Sequence, residues 1–155
     1  MTRSEKHWLS AVPWESVLTL NKALCQAQKI DPANSKGYEA SRLLWEKSVE
    51  RAMDLNEAIK VCRECHDLDP FTFNNGNTFA AIGRTLVEEF LQQMPPVEAQ
   101  IIRTTIGHYI VGLIGRKELQ QVLKHFAPVL AKLPPASKVP EVSVTPVLEP
   151  EAQRA

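Results

Sequence analysis

Apolar residues along this chain recur at three- and four-residue intervals, and no stretch sustains the strict alternation of a half-buried strand. The spacing predicts six helices. The first runs from Pro13 or Trp14 to about Lys29 and is stopped by the turn-forming run from Asp31 to Gly37. The second carries Tyr38, Trp45, Val49 and Ala52 on one face. The third carries Leu55, Ala58, Ile59, Cys62 and Cys65 on another, and the loop DPFTFNNGN stops it. Asn77 or Thr78 is expected to cap a fourth helix with Phe79, Ile82, Leu86 and Phe90 inward. Met94-Pro95-Pro96 breaks that helix, and Pro96 suits the first turn of a fifth, which should bury Ile102, Ile106, Tyr109 or Ile110, and Leu113. After Gly115 a sixth helix carries Leu119, Val122, Leu123 and Phe126.

From Leu133 onward the pattern fails. The stretch is proline-rich and has no aromatic residue, so it cannot bury enough apolar surface to fold. The expected division is an N-terminal segment (1–12), an all-α helical domain (13–132) and a disordered Pro-rich C-terminal tail (133–155). With 155 residues, 44% of them apolar, the chain is long enough for one domain with a real core.

Charge removes several function classes from the expectation. Eighteen basic residues balance 18 acidic ones, which gives no electrostatic footprint for nucleic acid or for an anionic membrane. The N-terminal residues are too polar for a signal peptide, and no run approaches ~18 uninterrupted apolar residues. The nearest, from Ile101 to Gly115, is interrupted by Arg103 and His108. No membrane insertion is expected. A cytoplasmic protein with its three cysteines reduced is the simplest expectation.

The helices carry an internal echo. QKIDP, from Gln28, and HDLDP, from His66, recur 38 residues apart at helix ends, where Asp-Pro forces the chain out of the helical region. A second register, offset by 41, pairs Tyr38 with Phe79, Trp45 with Leu86 and Glu57-Ala58 with Glu98-Ala99. The residues from Asp54 to Pro70, DLNEAIKVCRECHDLDP, resemble the second helix of a tetratricopeptide repeat. TFAAIGRTLVEEF, from Thr78, is similar to the first helix of the next repeat, with Phe79 as its large aromatic, Ile82-Gly83 as its aliphatic-small pair and Leu86 as its next core residue. Three features depart from the family. Ser41-Arg42 stand where it prefers an aliphatic and a small residue, the first helix of each pair is about one turn longer than usual, and the final pair lacks the Asp-Pro ending. The resemblance implies a short stack of antiparallel helical hairpins with a concave groove that binds a peptide or protein segment. Each hairpin buries its apolar face only by stacking on its neighbour.

Cys62-Arg63-Glu64-Cys65-His66 matches the C-x-x-C-H pattern of c-type haem attachment. Cys62 and Cys65 also fall on the buried stripe of the third helix, where free cysteine serves as a small apolar side chain. That accounts for the motif without chemistry, and no cofactor is expected. The alternative is a metal- or haem-binding bundle. Cys62, Cys65 and His66 share one helical face, but a closed tetrahedral metal site needs a fourth ligand, for which Cys25, His7, His108 and His125 stand at no diagnostic spacing. The loop DPFTFNNGNTF also resembles that of Fic/Doc-type nucleotidyl transferases. Asp69 stands for the histidine base, Asn75 for the acidic residue and Thr78 for the basic one, so this remote alternative is a catalytically dead domain. No phosphate-loop, nucleophile-elbow, zincin, EF-hand or di-iron pattern occurs.

The expectation is therefore a non-enzymatic interaction module: an adaptor, chaperone or assembly factor holding a protein or peptide partner. Matching to the tetratricopeptide pattern places Glu39, Leu43, Ala80, Arg84 and Val87 in the groove, with Arg84 able to pair a partner's carboxylate. Trp8 and Trp14 are expected to seal one end of the stack. The tail, with VPEVSVTPV, is a second candidate ligand.

Overall fold

The computed structural model describes residues 5–132, so the expected disorder of the tail lies outside the described residues. Six helices follow one another: α1 (Trp14–Ala27), α2 (Tyr38–Val49), α3 (Leu55–Asp67), α4 (Asn75–Leu91), α5 (Pro96–Ile110) and α6 (Arg116–Lys132). No strand occurs among the described residues. Two isolated bridges occur among them, Lys6 with Met53 and Asn34 with Phe71. Local chemistry sets several ends. The Asp54 carboxylate accepts from the Glu57 N–H at 2.8 Å and caps α3. Pro96 opens α5, where its missing N–H costs nothing.

Two helix ends show why Asp-Pro recurs with different geometry. Past α1, Lys29 takes a left-handed φ of 58°, and the N–H groups of Lys29 and Ile30 donate back to Gln26 and Cys25 carbonyls. Past α3, Asp69 takes φ 60° and donates to the His66 carbonyl, but the next residue is Pro70, which has no N–H for the second bond. α3 therefore runs two residues further into its Asp-Pro exit than the repeat register implies. Gly112, at φ 85°, closes α5 with both bonds: its own N–H reaches the Tyr109 carbonyl and that of Leu113 reaches His108.

The helices form a short stack of antiparallel hairpins. α2 packs on α3, α3 on α4, α4 on α5 and α5 on α6, while α1 also reaches α4 and α3 reaches α5. α4 lies at the centre. Gly83 lets α5 approach it closely: a Cβ there would collide with Ile110 Cδ1 and stand 3.2 Å from Ile106 Cγ2. The α2–α3 seam is equally tight. Ser41 Oγ donates to the Cys65 carbonyl at 3.3 Å, and the Cys65 thiol lies 3.6 Å from the Ser41 carbonyl. So the serine that departs from the repeat pattern closes the crossing with its own hydrogen bond.

Four expectations need correction. The N-terminal segment belongs to the fold: Leu9 and Val12 are fully buried, and the Val12 carbonyl accepts from Trp45 Nε1 at 2.8 Å. α4 begins at Asn75, not after Asn77 or Thr78. Asn74 precedes it with φ 64°, and Asn77 and Thr78 are buried inside its first turn. Leu113 is 48% exposed because the Gly112 turn swings it outward. Ala52 lies beyond the end of α2 and is exposed. Trp14 does seal one end: it stacks on Phe71 at 5.9 Å and donates to the Tyr38 hydroxyl at 3.0 Å. Trp8 packs against Phe90 instead, at 6.4 Å.

Candidate functional site

Helix α3 turns its reactive residues inward. Cys62 and Cys65 show no exposed surface and His66 is 5% exposed. Burial pushes the Cys62 thiol well above its ordinary range, and the neighbouring Cys65 adds to this. Burial likewise pushes Cys65 up to about 12, against the hydrogen bond to Ser41. Both are held as neutral thiols, whereas metal ligation and disulfide chemistry use the thiolate. His66 Nδ1 faces the Asp67 carboxylate at 3.0 Å. Among the described residues no three His, Cys, Asp or Glu side chains gather as a metal site would require. Cys62 and Cys65 lie on the buried face of α3.

The loop before α4 is closed by amides. Asn75 holds the loop from both sides: its Oδ1 accepts from the Phe71 N–H at 3.0 Å, and its Nδ2 donates to the Phe71 carbonyl at 2.7 Å and to the Asp69 carboxylate at 2.8 Å. Asn21, on α1, donates to the Phe73 carbonyl at 2.8 Å and to Thr78 Oγ1 at 3.2 Å. Asn74 donates to Gln28 Oε1 at 2.9 Å and accepts from Asn77 at 2.9 Å. The three residues placed at the transferase positions are thus absorbed in a pin that ties the loop to α1 and α4. Asp69 accepts from Asn75, and Thr78 is fully buried.

The five residues expected to line a groove do not share a surface. Ala80 is fully buried and Val87 is 2% exposed, because α4 is covered by α1, α3 and α5. Glu39 and Leu43 face solvent on α2, with Leu43 59% exposed, and Glu39 is held by Arg42 at 2.7 Å. Only Arg84 stays with a surface of interest. It sits half-buried at the seam of α4 and α5. Burial lowers its pKa, Glu88 opposes this, and the like charge of Arg103 adds to it.

α5 carries both an ion pair to α4 and exposed apolar side chains. Arg103, on α5, makes a bidentate pair with Glu88 of α4, Nε to Oε2 at 3.0 Å and Nη2 to Oε1 at 2.6 Å. Elsewhere on α5, Val97 is 73% and Ile101 44% exposed, one turn apart on a face turned away from Arg103. Gln100 and Thr104 flank them, joined by a 3.2 Å hydrogen bond. The opposite face of α5 buries Ala99, Ile102, Ile106 and Ile110. The helix therefore has two apolar faces, and only one is used by the fold. The adjacent isoleucines 101 and 102, which no single face can hold, were the signal for this in the sequence.

A separate recess of about 90 Å³ opens between α3, α5 and α6, lined by Glu57, Lys60, Tyr109, Arg116 and Leu119 among others. Its charges are mixed and it is too small for a drug-sized ligand. No helix among the described residues is long and apolar enough to cross a membrane. No family model, curated protein or solved structure matches this chain.

Proposed function

We propose that this protein is a non-enzymatic interaction module of the tetratricopeptide type, an adaptor, chaperone or assembly factor working in the cytoplasm. It holds a partner segment on the outer face of α5 rather than in a groove between α2 and α4. The observation that carries this is the exposed pair Val97 and Ile101, one turn apart on α5. Apolar side chains left in water at helical spacing favour an apolar segment laid along them. The buried cysteines support packing, not ligation, at α3.

The test is to pan a displayed random-peptide library on the full chain and measure the affinity of the enriched peptides. The expected motif has two or more apolar residues at helical spacing, with Kd raised at least ~10-fold by Ile101→Asp and unchanged by Leu43→Asp. Enriched peptides that bind the Ile101→Asp protein normally, or that fail only with Leu43→Asp, would refute the assignment.

A further inference from the structure

The pin that closes the loop before α4 is also the only Asn-Gly step in the sequence, Asn75-Gly76. At such a step the amide nitrogen of the second residue reaches the side-chain carbonyl of the first with least obstruction, because glycine has no Cβ. In the folded protein that ring closure is held off. Asn75 is the first residue of α4, is 6% exposed, and has its whole side-chain amide in use. Its Oδ1 accepts from the Phe71 N–H at 3.0 Å. Its Nδ2 donates to the Phe71 carbonyl at 2.7 Å and to the Asp69 carboxylate at 2.8 Å. The side chain is held toward the loop, and cyclisation has to break these bonds first. The loop itself has reasons to open. Asp69 and Asn74 bracket it with left-handed φ of 60° and 64°, which relax on opening, and Thr72 and Phe73 between them are exposed.

We propose that Asn75-Gly76 is a self-modification site kept silent by the closed loop, and that deamidation of the opened loop converts the pin into an acid that no longer closes it. In the open loop the Gly76 N–H gives its proton to solvent base as the nitrogen bonds to Asn75 Cγ. The Cγ–Nδ2 bond breaks, and Nδ2 takes a proton from solvent and leaves as ammonia. Water then adds to one of the two imide carbonyls and opens the ring, which leaves aspartate or isoaspartate at position 75. One water is consumed, one ammonia is released, and nothing is oxidised or reduced. Both products fail as a pin. A carboxylate has no N–H for the Phe71 carbonyl or the Asp69 carboxylate, and it sets negative charge against both. Isoaspartate also adds a main-chain atom inside the first turn of α4, where the Thr78 N–H donates to the Asn74 carbonyl at 2.9 Å. α4 is packed by α1, α3 and α5, so a damaged start of α4 reaches the whole stack. Opening of the loop is thereby recorded covalently, and the lifetime of the fold is limited by how often the loop opens. None of this depends on what docks on α5.

The experiment holds the full chain in mildly alkaline buffer, folded and in urea, and follows each of its six asparagines by mass spectrometry for conversion of amide to acid. In urea Asn75 should convert fastest of the six. In the folded protein its conversion should be at least ~10-fold slower than in urea, because the folded rate is the intrinsic rate scaled by the open fraction. Equal rates in the two states would overturn the proposal, since the loop would then give no protection. The second measurement is urea unfolding of Asn75→Asp, which reproduces one product. Its midpoint should fall below that of the unmodified chain, and adding Asp69→Asn, which returns an N–H to the pin, should recover part of the loss. Should Asn75→Asp alone fail to fold, recovery of a folded protein by the added Asp69→Asn reads the same clash. An Asn75→Asp protein as stable as the unmodified chain would overturn the proposal, and so would a loss that Asp69→Asn leaves untouched.

Discussion

α3 and α5 carry the two most conspicuous groups of side chains in this protein and treat them in opposite ways. α3 holds the residues with reactive chemistry, Cys62, Cys65 and His66, and packs them where neither solvent nor a ligand reaches. α5 holds ordinary aliphatic residues and leaves two of them in water. The difference arises from what each helix has around it. α3 is packed by α2, α4 and α5. α5 is packed by α3, α4 and α6, which still leaves its Val97–Ile101 side uncovered. Reactive residue types mark a site only when the fold gives them access. Bland residue types become informative when the fold withholds cover.

The comparison can be strained first at its buried end. Trp45 is fully buried beside Phe79 at 6.0 Å and is tied to the N-terminal segment through the Val12 carbonyl. Trp45→Ala should cost about 3–5 kcal/mol in urea unfolding, enough to unfold a marginal domain. A loss under about 1 kcal/mol would mean that the α2 side of the core is not packed as described.

The cysteines give a sharper test. Cys62→Ser puts a hydroxyl into apolar surroundings and should cost about 1–3 kcal/mol. Cys65→Ser should cost less, because the Ser41 carbonyl already faces that position as an acceptor. Equal losses would contradict the seam geometry. A gain of metal affinity lost in both variants would contradict the packing role.

The pH dependence follows from the same burial. The native Cys65 thiol ionises only near 12, against an ordinary 9.0, so between those values the unfolded chain releases a proton that the folded chain keeps. The unfolded state then binds fewer protons, and stability must fall as pH rises from about 9 through 12, by up to about 1.4 kcal/mol per pH unit for this thiol. Cys62 acts in the same direction. The Cys62→Ala, Cys65→Ala protein should lose much of that alkaline slope. An unchanged slope would place its source elsewhere.

At the exposed end the expected stability effect is smallest. Ile101→Ser should change unfolding free energy by no more than about 0.5 kcal/mol, as for other surface positions. A loss above about 2 kcal/mol would contradict the exposure of Ile101 on α5.

Much of this architecture was legible beforehand, for physical reasons that can be named. Helix positions follow from apolar spacing and from breakers: Pro96 opens α5 where expected, and the first and third helices end near their Asp-Pro steps. The start of α4 was not legible, since its cap is a left-handed Asn74 supported by amide contacts to residues far away in sequence, such as Gln28. Leu9 and Val12 are core residues on a non-helical segment, where periodicity gives no signal. The groove residues failed on one fact of packing. Ala80 and Val87 read as one face of an amphipathic helix, but α4 is covered on three sides by other helices. Arg84 is only half-buried, because a long side chain at a helix seam carries its guanidinium toward solvent.

The contrast between the two helices is tested most directly by one paired affinity measurement. A peptide selected on the full chain is titrated against Ile101→Asp and against Cys62→Ala with Cys65→Ala, each confirmed to be folded. Binding weakened at least ~10-fold by Ile101→Asp and unchanged in the double cysteine variant is the predicted result. Binding that survives Ile101→Asp and is lost with the two cysteines would return function to α3 and contradict the assignment of α5.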